Sequence, residues 1–263
     1  MKTARILTLG FIALLTLSFG ISLAKDPPGA GHGEPQSWRT APRHSAGIAP
    51  DPAALADTAI VQVYAAQTYG WRGHFAVHPW LIWKRQGETA YTRYEVTRWG
   101  GGKVVRRNGA VPDGLWFGAM PSLLVDHRGS GVEAMIDDIE AAIERYPYAY
   151  EYRTYPGPNS NTFLAHIGRE VPALRLDLPA NAIGKDYRPL SEIVGLSPSG
   201  AGVQATLLGM LGLIVGPEEG IEFNILGLSF GLDFNHPGLR LPFVGRLGMD
   251  DATVSHDAVA ATP

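Results

Sequence analysis

Three residues that stand far apart in this chain carry side chains that could together break an acyl or amide bond: His78, Glu95 and Ser160. A serine hydroxyl is a weak nucleophile until a base takes its proton, and histidine titrates near neutral pH, so the pair suits nucleophilic attack. A carboxylate on the imidazole's other nitrogen would fix its tautomer, and Glu95 is the natural candidate for that role. Ser160 follows the stiff run Pro156-Gly157-Pro158-Asn159 and precedes Phe163, Leu164, Ile167 and Val171 at helical spacing, closed by Pro172. It therefore stands at a helix start, where free N–H groups and the dipole favour negative charge. Asn159, or the backbone N–H groups around Asn161, are the expected oxyanion donors. The same residues also fit a plain helix cap.

Other constellations point to weaker chemistry. Trp80, Tyr94 and Tyr155 are candidates to line a groove, although packing explains most buried aromatics. His74 and His78 share one face of an expected strand but would lie ~13 Å apart, and no carboxylate is spaced to join them; no metal site and no cofactor is expected. Gly184-Lys185-Asp186 lacks the rest of a phosphate loop.

The elements that must position these residues read as α+β. Ala59 to Ala66, His74 to Trp83, Tyr91 to Trp99 and Lys103 to Arg107 have strand character, and their succession suggests an antiparallel meander. On the second of these, Phe75, Val77, Leu81 and Trp83 fall on one face and His74, His78, Trp80 and Ile82 on the other. Ser130 and Glu133 form an expected capping box ahead of a helix carrying Val132, Met135, Ile136, Ile139 and Ile143. Further on, Val203 to Val215 and Ile221 to Phe234 are Leu- and Gly-rich arms around Gly216-Pro217-Glu218-Glu219-Gly220, a β-hairpin expected to complete the core or to lie against a membrane. A loose Leu-Gly echo relates the two arms.

With 263 residues, 45% of them hydrophobic and 18% charged, the chain can build a sizeable core. It contains no cysteine, which excludes disulfides, a thiol nucleophile and thiolate metal sites. Lys2 and Arg5 precede an uncharged apolar run from Ile6 to Leu23, and Ser22-Leu23-Ala24 offers a cleavage site. Residues 1–24 therefore read as a signal peptide or a retained anchor, and either places the rest outside the cytoplasm, in the periplasm or tethered to the inner membrane through residues 6–24. Cleavage after Ala24 would remove Lys2 and Arg5 and move the formal charge from −3 to −5. That acidic balance, with no basic stripe, argues against nucleic acid as a partner. The expected division is a flexible linker over 25–55, in which Trp38 stands out as a residue to pin it to the domain surface, an α+β domain over 56–195, the hairpin over 196–248 packed on it, and a disordered tail over 249–263.

Two resemblances add to this. His78 in Phe-Ala-Val-His-Pro-Trp-Leu-Ile, then Tyr94-Glu95-Val96, then a helix, then Asn159-Ser160-Asn161-Thr162-Phe163 resembles circularly permuted papain-like domains of the lecithin retinol acyltransferase and NlpC type. There the histidine strand comes first and an Asn-Cys pair opens the later helix. The resemblance implies cleavage or transfer of amide, ester or acyl groups in lipids and cell-wall peptides. It departs at the decisive position, because Ser160 stands where those families carry the nucleophilic Cys. Residues from about Ile60 to Tyr187 also resemble an uncharacterised family of proteobacterial envelope proteins, a domain of unknown function. The words that carry this are Val-Gln-Val-Tyr-Ala, Trp-Arg-Gly, Tyr-Thr-Arg-Tyr-Glu, Pro-Gly-Pro-Asn-Ser-Asn-Thr-Phe and Ile-Gly-Lys-Asp-Tyr. Together these imply an exported envelope protein that is a serine-dependent hydrolase or acyltransferase. The alternatives are a catalytically inactive binding module for an envelope peptide, lipid or peptidoglycan fragment, and a structural protein in contact with the inner membrane.

Overall fold

The structure is a computed structural model that describes residues 2–24, 37–249 and 252–256. Among the described residues, three α-helices and two mostly antiparallel sheets make it an α+β protein. The strands β1 (Ile60–Gln67), β2 (Val77–Lys84), β3 (Thr92–Val96) and β4 (Val105–Arg107) pair in succession as the expected meander. β5 (Ser122–Arg128) adds to the other side of β1, and β13 (Thr253–His256) pairs with β5 in parallel. The first sheet thus runs β13-β5-β1-β2-β3-β4.

Alternation along these strands separates two packed layers. Val61, Val63, Leu81, Trp83 and Val125 point towards α2 (Val132–Glu144) and α3 (Ser160–Glu170), and meet Ile136, Ile139, Phe163, Leu164 and Ile167. On the opposite face Tyr64, Trp80 and Ile82 pack under Trp116, Phe117 and Ala119 of the loop between β4 and β5. Side chains of this size, burying their whole apolar surface, contribute roughly 1.5–3 kcal/mol each.

Several local expectations are revised. His74 does not lie on β2 but closes a 3-10 turn over Gly70–His74, so His74 and His78 do not share a strand. Gly131, at φ 80°, is the N-cap of α2 and makes no side-chain cap. Glu133 instead accepts from Arg85 Nη1 (3.0 Å) and from the Gln86 N–H (2.6 Å), which draws it away from the helix start. Part of the expected linker is packed. Asp113 Oδ2 accepts from Ser45 Oγ (2.9 Å) and from the Ile48 and Ala49 N–H groups, and Ala41 is buried. Trp38 stays exposed, with the Arg39 guanidinium over its ring. Residues 25–36 of the linker, and 250–251 and 257–263 of the expected tail, lie outside the described residues, but 253–256 form β13.

The C-terminal region is a seven-stranded sheet, not one hairpin. It comprises β6 (Val194–Leu196), β7 (Val203–Leu207), β8 (Leu211–Gly216), β9 (Gly220–Ile225), β10 (Leu228–Asp233), β11 (Gly238–Leu241) and β12 (Gly245–Gly248), ordered as a meander. Each expected arm folds back on itself at Leu208-Gly209 or Leu226-Gly227. Both residues of each pair have positive φ (54° and 70°, 53° and 74°), as tight hairpin turns of the primed type require. The Leu-Gly echo is this repeated turn. The sheet neither completes the apolar core nor packs by its leucines. Its polar alternate residues face inward, and most of its apolar ones are exposed, Ile214 and Leu241 being the buried exceptions.

α1 (Lys2–Leu23) lies against the rest of the molecule. Ser22 Oγ donates to His74 O (2.5 Å), Phe19 stacks on Phe75, and Phe11 meets Phe230 of β10. Among the described residues no helix is long and apolar enough to cross a membrane.

Candidate active site

The antiparallel register places Trp83, Ile82 and Leu81 of β2 opposite Thr92, Arg93 and Tyr94 of β3. Continued along the strands, it brings His78 and Glu95 together as diagonal neighbours on the face away from the helices. Their side chains meet there: His78 Nε2 lies 2.9 Å from Glu95 Oε2, and both groups are buried. Arg93, two residues before Glu95 and hence on the same face, donates from Nη2 to the same oxygen at 3.0 Å and from Nη1 to Val111 O. Its guanidinium sits over the Trp80 ring. Trp116 covers the imidazole from the loop layer, with ring centroids 3.7 Å apart and planes 11° from parallel.

The electrostatics of this cluster follow from burial and pairing. Burial pushes the His78 imidazole below its ordinary value, and the bond to Glu95 only partly offsets this. Burial by itself would raise Glu95, but His78 and Arg93 outweigh it and hold the carboxyl below the usual range. At neutral pH the cluster is therefore a neutral imidazole donating Nε2–H to a carboxylate that Arg93 keeps ionised. This arrangement leaves the lone pair on Nδ1. Nδ1 has no hydrogen-bond partner among the described residues.

Ser160 is the first residue of α3, as its sequence suggested. The cap is Asn159, whose Oδ1 accepts from the N–H groups of Asn161 (2.9 Å) and Thr162 (3.2 Å), while Thr162 Oγ1 accepts from Asn159 N–H. Asn159 Nδ2 donates to Thr154 O and Ile183 O. Gly184 allows this packing. It has φ +100°, and a Cβ there would stand 2.4 Å from Asn159 Nδ2. Asn161 Nδ2 donates to Ile183 O and Val77 O, which fastens the start of α3 to the residue preceding His78.

These bonds correct the expected oxyanion donors. The Asn159 amide is fully engaged, and so is the Asn161 N–H. The Phe163 N–H donates to Asn159 O. Of the first four N–H groups of α3, only that of Ser160 has no partner among the described residues, and the same is true of Ser160 Oγ.

His78 and Ser160 line one cavity of about 460 Å³, together with Asn159, Asn161, Thr97, Trp116, Tyr152 and Tyr155. Trp71, Phe75, Trp99 and Phe117 add to its aromatic lining. Of the groove candidates, Tyr155 is in this wall and donates its hydroxyl to Leu226 O in the turn between β9 and β10. Trp80 is not. It is fully buried beneath the cluster and donates Nε1–H to Pro112 O. Tyr94 lies on the opposite face, stacked on Trp83 at 5.0 Å, because alternation turns it away from Arg93 and Glu95. Among the described residues no group of three or more His, Asp or Glu is placed to hold a metal ion. Arg93 and Trp116 complete the surroundings of His78 and Glu95. Alternation places Arg93 on the face of Glu95, whereas the stacking of Trp116 on the imidazole depends on folding, since sequence marks it only as one of several aromatic residues that could line a groove.

Residues 58–187 match the family model described as "Protein of unknown function (DUF3750)", and this stretch is a domain of that family. It spans β1 to β5, α2, α3 and the Gly184-Lys185-Asp186 segment, and so contains the whole His78–Glu95–Ser160 constellation. No curated protein and no solved structure gives a significant match.

Proposed function

We propose that this is a serine-dependent hydrolase or acyltransferase of envelope material, built on a permuted papain-like arrangement. The observation that carries the reading is that the residues Ser160 and His78 line the same cavity, without a hydrogen bond between them, that Ser160 Oγ and His78 Nδ1 have no hydrogen-bond partner among the described residues, and that Glu95 holds the far nitrogen. In the first step His78 Nδ1 takes the proton of Ser160, and Oγ forms a bond to the substrate's acyl carbon. The carbonyl π pair moves to oxygen, where the Ser160 N–H donates to it. Collapse returns the electron pair and breaks the bond to the leaving oxygen or nitrogen, which receives the proton from His78. Water or an acceptor alcohol or amine then repeats the sequence and frees Ser160. Glu95 and Arg93 keep the imidazole in the tautomer that leaves Nδ1 basic. The apolar, aromatic cavity suits an acyl chain or an amide flanked by apolar groups. The apolar N-terminal segment supports action outside the cytoplasm.

The test is turnover of p-nitrophenyl acyl esters of increasing chain length by the wild-type chain and by Ser160→Ala. Wild-type turnover that falls at least ~10³-fold in the variant supports the reading. Equal rates, or no turnover of any ester or amide offered, would leave the cavity as a binding groove for an envelope ligand.

A further inference from the structure

We propose that the outer face of the second sheet, together with α1, seats on a lipid bilayer. The pairing Val203↔Val215, Leu213↔Ala205, Leu213↔Phe223 and Leu232↔Leu239 puts one continuous apolar surface on the outside from β7 to β11. Among the described residues, nothing beyond Phe11 at Phe230 is seen to cover this face, and Val203 (60% exposed), Phe223 (54%) and Leu232 (49%) lie open. Seven strands at ~4.8 Å spacing and about five residues each give a face of roughly 500 Å² in projection, before α1 is added. Soluble monomers seldom leave more than a few hundred Å² of contiguous apolar surface open.

Two observations choose lipid over a protein partner. First, the outward residues of β6 to β12 include no side chain able to hydrogen-bond, since every charged or amide group of these strands is on the inner face. Protein interfaces combine an apolar centre with tyrosine, arginine and about one hydrogen bond per 100–200 Å². Hydrocarbon asks for none, and apolar-out, polar-in alternation is how strands meet acyl chains. Second, the surface continues into α1. Phe11 sits 5.2 Å from Phe230 of β10, while Leu9, Ile12 and Leu17 remain exposed on the helix. From Ile6 to Leu23 that helix carries no charged residue, the character of a segment that partitions into a bilayer. The proposal stands whether or not Ser160 is a nucleophile.

The experiment is co-flotation of the full-length chain with vesicles of phosphatidylcholine containing a minor fraction of phosphatidylglycerol. The wild type is compared with the double variant Leu213→Glu/Phe223→Glu and with Tyr150→Glu, a control at a highly exposed position on the helix-bearing part. Thermal unfolding checks that each variant folds, and light scattering reports its mass. The expected result is that the wild type and Tyr150→Glu float, and that the bound-to-free ratio of the double variant falls at least ~10-fold. Equal flotation of the folded double variant would overturn the proposal, since α1 alone would then hold the protein. A wild type that stays in solution as a dimer, with the double variant monomeric, would also overturn it and assign the face to a second copy.

Discussion

The two sheets of this protein use the same strand alternation in opposite senses. In the first, Val61, Val63, Leu81 and Trp83 turn inward to two helices. In the second, Leu213, Phe223 and Leu232 turn outward, while Gln204, Glu222, Asn224, Ser229 and Arg240 are buried. What holds the second sheet to the domain is therefore a polar network centred on Lys185 and Asp186. Lys185 Nζ pairs with Glu222, Asp186 Oδ2 accepts from Asn224 Nδ2 (2.6 Å) and Ser229 Oγ (3.2 Å), and Gln204 Nε2 donates to Asp186 O. Arg240 adds pairs to Asp177 and Asp233. Burial would lower the Lys185 ammonium, but Asp186 and Glu222 raise it above its ordinary value, so it stays charged at neutral pH. A sheet fastened in this way can leave its apolar side free for another environment.

The contrast can be broken at several points. The largest effect is expected at the site: His78→Ala should lower turnover at least ~10³-fold, as for Ser160→Ala, without changing the fold of either sheet. Next, Lys185→Ala would leave buried Asp186 without its cation and Glu222 with only Arg240 at 3.7 Å, and should cost ~3–5 kcal/mol in denaturant unfolding. Leu81→Ala, on the inward face of the first sheet, should cost ~2–5 kcal/mol. Leu213→Ala, outward on the second sheet, should stay within ~0.5 kcal/mol in detergent-free buffer, as surface substitutions do. Equal costs for those two leucines would erase the distinction between the sheets.

A smaller effect is expected with pH. Because the folded-state value of His78 is depressed, its contribution to stability is fully present above the unfolded value near 6.5 and is lost as pH falls towards the folded value. Glu95 is also depressed, so its contribution holds above the ordinary carboxylate value near 4.5 and disappears as pH falls through the folded one. Stability should therefore decline on the acid side from about pH 6.5. The acid limb of kcat/KM should lie below that same value, because neutral His78 is the base. Glu95→Gln should flatten the stability profile below pH 5.

Much of the first sheet was legible because its strands are bounded by turns and alternate with an apolar inner set. The meander, the helix from Ser160 and the shared face of His78 and Trp80 follow from spacing alone. The second sheet was less legible. Alternation shows that two faces differ but not which one is buried, and a Leu/Gly-rich run reads by default as core. The folding back of each arm at Leu208-Gly209 and Leu226-Gly227 was hidden because leucine is an unusual residue at positive φ. At the site, residue types named His78, Glu95 and Ser160. The engagement of Asn159 by Thr154 and Ile183, which removes it as an oxyanion donor, depends on segments brought together only by folding.

The most direct test of the central claim is intact-mass and peptide mass spectrometry after exposure to a fluorophosphonate, which reports a serine activated by a neighbouring base. A single adduct on Ser160, absent in His78→Ala and reduced in Glu95→Gln, is the predicted result. An unmodified Ser160 in the folded wild-type protein, or equal labelling without His78, would contradict the account.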